Sequence, residues 1–339
     1  VVEVLAERPG LQRVRLHDDS RAYALTEQVG DVGVGDEVVV NTTAVDLGLG
    51  TGGWHVVHWN LSRRELHQPG PGHIMKVRYT SLQTDTGAAE EVPGLLDPAV
   101  PDLGGVPVLV GSLHSQLGVV AAVVHAIRPG TRVSYVMTDG AALPLALSDL
   151  VVQLRDRGLL TGTVTAGHAF GGDHEAVGVP SALQVAVEAQ RAELVVCTMG
   201  PGVVGTGTAL GTTALEVASI AAAAAALGAH PVVIARASSG DARPRHQGIS
   251  HHTRTALGLL DRPVDVPLPP ELAQGADLGP HRVIEVDPGD VRGALEAVSV
   301  QVTTMGRGID ADPLFFRTAA AAARHAAARC PSDGTVWPA

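Results

Sequence analysis

Two hydrophobic rhythms divide the chain. Over residues 1–80, short apolar runs recur at 2–4, 14–16, 23–25, 38–40, 54–59 and 74–79, parted by Gly, Pro, Asp and Asn. Runs this short between turn residues predict strands. Their spacing predicts a small N-terminal β-barrel-like domain, read as a packing or oligomerisation module, so a homo-oligomer is one expected state. Lys76 and Arg78 stand two apart in the last run. Alternation puts both on one strand face, expected to turn toward the second domain. Residues 81–105 lose periodicity and collect Gly, Pro, Asp and Glu, the composition of a linker.

From residue 106 the rhythm lengthens. Apolar strand-like runs at 106–111, 132–137, 162–166, 194–199, 231–235 and 282–286 alternate with helical patterns at 115–127, 144–157, 180–191, 212–227, 251–260 and 288–298. A further helix is predicted over 313–328, with Asp312 as N-cap and Pro313 as its first residue. Strands alternating with helices predict right-handed βαβ units. The fold class expected for residues 106–339 is therefore α/β, a three-layer sandwich with a mostly parallel, Rossmann-like sheet. The strands at 162–166, 194–199 and 231–235 are expected to lie close together, with their carboxyl ends around one crevice.

Composition narrows the classes. The chain has 339 residues, 45% of them hydrophobic but only 3% aromatic, so the core must be built from Val, Leu and Ala. A formal charge of −11 without a Lys/Arg cluster argues against nucleic acid as a partner. Lys76 is the sole lysine, so no P-loop lysine follows any glycine-rich loop. Cys197 and Cys330 are too few for a disulfide framework or a Cys-rich zinc site, and Cys197 reads as a core residue. The longest mostly apolar run, 217–229, is stopped by His230-Pro231, short of the ~20 residues a membrane span needs. No membrane partner and a cytoplasmic location are expected. The chain starts at Val1 without a methionine, so residues upstream are expected; what is present carries no signal pattern.

The chemistry-bearing residues gather after the predicted strands, where open parallel sheets bind ligands. Gly200-Pro-Gly-Val-Val-Gly205 matches G-x-G-x-x-G only formally. Residues 206–211 lengthen the loop, and the next strand ends at Ala235-Arg236 without the acidic residue a ribose needs. The broader expectation is an anion cradle from backbone N–H groups, including Gly202 and Gly205, and from Thr206, Thr208, Thr212 and Thr213. His168, Asp173, His174 and Glu175 lie within one glycine-containing stretch. Imidazole and carboxylate groups there are candidates for a divalent metal ion held by His168, Asp173 and His174. Asp241, Arg243, Arg245, His246, Ser250, His251 and His252 form a second cluster. Ser250 is the expected cap of the next helix, and the arginines suit a phosphate or carboxylate. Candidate catalytic residues are His168, Asp173, His174 and His246; candidate ligand-binding residues are Gly202, Gly205, Thr206, Asp241, Arg243 and Arg245.

Three segments, Gly-Gly-Asp-His-Glu-Ala (171–176), Gly-Pro-Gly-Val-Val-Gly-Thr-Gly-Thr (200–208) and Gly-Ile-Ser-His-His-Thr-Arg-Thr-Ala-Leu (248–257), together with Gly-His-Ile-Met-Lys-Val-Arg-Tyr (72–79), resemble an uncharacterised bacterial protein family of GC-rich Gram-positive and related bacteria. The resemblance implies no activity and carries over no catalytic residue.

Two function classes follow. One is an enzyme acting on a small anionic molecule by metal-assisted hydrolysis or group transfer. The other is a non-catalytic ligand-binding or assembly protein using the same rim. A nucleotide-binding Rossmann-like protein is a third reading.

Overall fold

The computed structural model describes residues 1–330, in two compact units that divide after Ala88. In the first unit, strands β1 (Glu3–Arg8), β2 (Leu11–Arg15), β3 (Arg21–Ala24), β4 (Val38–Asn41) and β5 (Trp54–Asn60) form one sheet in the order β1-β2-β3-β5-β4. All neighbours are antiparallel except β3 and β5. Val14, Ala22, Ala24 and Val57 form the centre of its small core. No pairing joins β1 to β4 among the described residues, so the sheet order shows no closed barrel. The expected strand at 74–79 is reduced to β6 (Met75–Lys76), paired with β7 (Thr84–Asp85). Val77 takes a positive φ of 51° and ends the alternation. Lys76 is buried while Arg78 is exposed, so the two do not share one face as expected.

Residues 89–105, expected as a linker, are part of the second unit. Glu90 accepts the Val177 N–H, and the Leu103 N–H donates to Leu227 O. Eight strands follow: β8 (Pro107–Gly111), β9 (Val133–Thr138), β10 (Gly162–Ala166), β11 (His174–Ala176), β12 (Leu194–Met199), β13 (His230–Ile234), β16 (Asp265–Leu268) and β17 (Arg282–Glu285), with the small hairpin β14 (Ala237–Ser238) and β15 (Gly248–Ile249) beside them. The eight are all parallel, in the order β11-β10-β9-β12-β8-β13-β16-β17.

Successive strand residues point to opposite faces, which splits the apolar runs between two cores. Leu109, Tyr135, Met137, Val196 and Ile234 pack under helices Gln116–Ile127, Asp149–Asp156, Val291–Ala297 and Pro313–Ala327. Val108, Val110, Val136, Val195, Cys197 and Val233 pack under Val179–Glu188, Glu216–Ala226 and His251–Gly258. The alanines of Pro313–Ala327 are buried and small, so this helix can lie close to its neighbours. Cys197 is a core residue, its thiol pushed well above the usual range by burial. No helix among the described residues is long and apolar enough to cross a membrane.

The order fixes where a ligand fits. Connections leaving β8 and β9 cover one face, and those leaving β12 and β13 cover the other. Such a divergence opens a crevice at the carboxyl ends of the strands. The strands at 162–166, 194–199 and 231–235 are not neighbours: β9 separates the first two and β8 the last two.

Candidate functional site

The connection β10–β11 occupies only residues 167–173, far shorter than the crossover that parallel neighbours normally need. Its polar residues hold it. Asp173 accepts from the Thr163 N–H at 2.9 Å, from the Thr163 hydroxyl at 3.0 Å and from Arg155 at 2.6 Å. Glu175 accepts from the Thr165 hydroxyl and the Gly171 N–H, both at 2.7 Å. His174 Nδ1 meets the Gln190 amide at 3.2 Å, and the His168 backbone N–H donates to Asp139. Asp173 and Glu175 thus serve the fold of their own loop. β10 stands four strand spacings from β13, about 19 Å. His168, Asp173 and His174 are therefore not brought to the second cluster by the sheet.

The glycine loop after β12 and the loop after β13 do meet. A Cβ on Gly205 would lie 2.7 Å from His252 Cε1, so only glycine permits this approach. The loop's threonines mainly serve the loop itself, with Thr212 also reaching His252 Nδ1 at 3.5 Å and Thr213 the Met199 sulfur at 3.5 Å. Thr206 and Thr208 bond each other and neighbouring N–H groups, while the Thr212 and Thr213 hydroxyls donate to Val204 O. The helix starts only at Glu216, so Gly205 does not open it as a dinucleotide fingerprint requires.

After β13, the chain is pinned from below. Asp312, fully buried, accepts from the Ser238 hydroxyl at 2.6 Å, the Ser239 N–H at 2.8 Å and Arg307 at 3.1 Å. It precedes Pro313 as expected, but its carboxylate holds the β14 loop instead of capping its helix. Asp241, next in that loop, binds Arg243 through both oxygens, with Arg307 at 3.5 Å and Arg236 at 3.8 Å. Arg243 holds the Asp241 carboxyl well below the usual carboxylate range. Ser250 caps the helix by accepting the His252 N–H at 3.2 Å, as expected.

The result is a small, partly enclosed cavity of about 80 Å³ lined by Val203, Gly205, Arg236, Arg243, Arg245, His246, His252 and Met305. Arg236 is 5% exposed. His246, His251 and His252 each offer a ring nitrogen within 4.8 Å of the others. Burial pushes His246 down to about 3 and His252 down to about 4, and the neighbouring arginines add repulsion; His251 is lowered for the same reasons. All three are neutral near pH 7. Arg236 and Met305 line the cavity without having been among the sequence candidates, whereas His251 and His252 belong to the second cluster read in the sequence, His252 lining the cavity and His251 standing beside it. The signal for Arg236 was a lone cation closing an apolar strand. Gly202, with a positive φ of 101°, and Thr206 belong to the same loop but do not line the cavity.

Other polar clusters are self-contained. Buried Asp265, at the start of β16 beside β13, accepts from His230 at 2.7 Å, His325 at 2.9 Å, Arg282 at 2.6 Å and Arg329 at 3.2 Å. Glu216 accepts from the Thr138 hydroxyl at 2.8 Å beside Gly140, and burial raises it to about 7.

The profile of one protein family, described as a protein of unknown function (DUF3866), matches residues 21–323. The chain belongs to that family. The match takes in all three glycine- and histidine-bearing segments that suggested a family relationship, and most of both units. No curated protein and no solved structure matches the chain. The family supplies no activity, so function rests on the cavity.

Proposed function

We propose that this protein binds a small anionic molecule in the cavity between the glycine loop and the loop that follows β13. The observation that carries the reading is a local charge imbalance. Arg236, Arg243 and Arg245 line the cavity, and among the described residues the ion pairs of Arg236 and Arg243 are both with one carboxylate, Asp241, which Arg307 also approaches. A buried cation without a full counter-charge is costly, and a bound anion supplies what is missing. Arg243 and Arg245 are the ligand-binding residues, Asp241 orients Arg243, and Gly205 admits the ligand beside His252. His246, which lines the cavity, is the imidazole best placed to exchange a proton with the ligand.

A second reading is metal-assisted hydrolysis or group transfer on the same anion. The convergence of three imidazoles favours it. The first reading is tested by thermal unfolding of the full chain with phosphate, sulfate, acetate and citrate. A ligand at 100 times its Kd adds about 2.7 kcal/mol, which raises Tm by several degrees. Phosphate or sulfate should do so, and Arg236→Met should remove the effect. If no anion at millimolar concentration raises Tm, the site is not an anion site.

A further inference from the structure

The three histidines gather like a metal centre, but the protons on their rings decide what they can hold. A metal takes a lone pair from each imidazole, whereas an anion takes an N–H.

His252 is 2% exposed. Its Nδ1 faces Arg236 Nη1 at 3.3 Å. Arginine has no acceptor, so Nδ1 must be the acceptor, and the neutral ring carries its proton on Nε2. That Nε2 is buried and has no hydrogen-bond partner. His246, 1% exposed, meets the Ser250 hydroxyl through Nδ1 at 2.7 Å. Ser250 Oγ already accepts the His252 backbone N–H, and among the described residues His246 Nδ1 is the acceptor for its own proton. The same tautomer follows: His246 also carries its proton on Nε2. His251 adds a second buried Nε2 without a partner.

A buried donor with nothing to donate to is expensive, of order 1–3 kcal/mol, and here it stands beside the cavity that the arginines line. A metal bound at His252 Nε2 would force the ring proton onto Nδ1, against Arg236. The Arg236 hydrogen bond would be lost and two N–H groups would face each other. An oxyanion needs no such rearrangement. The cavity, about 80 Å³, has room for about two to three waters at ~30 Å³ each. That is the size of one tetrahedral oxyanion, with the remainder of a larger molecule left outside.

We infer that the histidine cluster is an oxyanion receptor: His246 and His252 donate Nε2–H, beside the Arg236 guanidinium, to a phosphate group, either free or as the end of a phosphomonoester. This rests on the anion reading of the same cavity and replaces the metal in it.

The test uses the full chain purified without chelator. Ring ¹⁵N shifts of the histidines report the tautomer directly, and calorimetry with inorganic phosphate and with glycerol phosphate reports binding with and without EDTA. The expected result is Nε2–H on His246 and His252, and phosphate binding that EDTA leaves unchanged. His252→Phe should weaken phosphate about tenfold or more, while His252→Gln, which still donates an N–H, recovers most of the loss. Glycerol phosphate binding as tightly as phosphate assigns the group to an organic phosphate; binding of phosphate alone assigns it to the free ion. Nδ1–H tautomers, or a stoichiometric divalent ion whose removal abolishes phosphate binding, would overturn the inference in favour of a metal. Unchanged binding in His252→Phe with binding lost in Arg236→Met overturns the histidine role and leaves the anion site standing. Absence of phosphate binding in every form overturns both.

Discussion

At Gly205 the identity of one residue decides whether two loops can touch. The His252 ring lies 2.7 Å from where a Cβ would stand, and the ring is fixed by the Arg236 contact and the Ser250 cap. Gly205→Ala should therefore displace the imidazole or push the loop away. Because the loop around it is exposed, the expected outcome is weakened phosphate binding, roughly tenfold, with Tm nearly unchanged. Calorimetry paired with a melting curve checks it; wild-type affinity would show that the loop gives way at no cost. The sequence placed Gly205, Asp241, Arg243, Arg245 and His246 among the candidates because each is a recognisable donor, acceptor or hinge after an apolar strand. It could not reveal that the loop threonines bond one another, since hydroxyls that cradle a ligand and hydroxyls that knit a loop look alike in sequence. Nor could it give the tautomer of His252, which depends on Arg236, sixteen residues away.

Among the elements, β10 and β11 show why a polar cluster is a weak guide to a site. Thr163 and Thr165 alternate along β10, and Asp173 and Glu175 alternate around the start of β11, so each pair shares a face. The strands pair with Thr165 opposite Glu175, and hydroxyl meets carboxylate twice. The cluster His168-Asp173-His174-Glu175 thus closes a tight parallel connection. Its sequence looked catalytic because the three residues of β11 are too short and polar to read as a strand. The expected consequence is a separation of effects. Asp173→Ala should cost about 1–3 kcal/mol of stability, seen as a lower urea midpoint, while phosphate affinity stays at the wild-type value. A fall in affinity at unchanged stability would return Asp173 to the ligand site. β16 was missed for a related reason: Pro263, Pro267 and Pro269 break up the apolar run around it, although all four of its residues are buried.

The two units part after Ala88, between the end of the short apolar runs near residue 80 and the longer rhythm that starts at 106, and alternation of strand and helix was enough to assign the α/β class of the larger unit. Sheet order was not legible: a run of Val and Leu says that a strand is buried, not which strand lies beside it. Placing β12 between β9 and β8, and β13 beyond β8, is what separates the two histidine-bearing loops. Among the described residues burial lowers five imidazoles, His114 and His252 to about 4, His246 to about 3, and His230 and His251 by less. In the unfolded chain a histidine titrates near 6.5. Below that pH the unfolded state binds more protons, so stability present above about 6.5 is lost as pH falls toward 4. Glu216, raised to about 7 by burial, acts in the opposite sense, holding its proton in the fold and losing stability as pH rises through that range. The five imidazoles outweigh the one carboxyl, so the urea midpoint should fall between pH 7 and pH 4.5. The lowered carboxyls of Asp241 and Asp265 add a further loss only below about pH 4, where an unfolded aspartate takes up its proton. An anion held by His246 and His252 favours their protonated forms and raises their folded values, so saturating sulfate, which does not titrate here, should flatten the slope. Sulfate also stabilises folded proteins in general, so the comparison must be made against His252→Phe. If sulfate changes the pH slope of wild type and variant equally, the imidazoles do not sense the anion, and the anion does not sit against them.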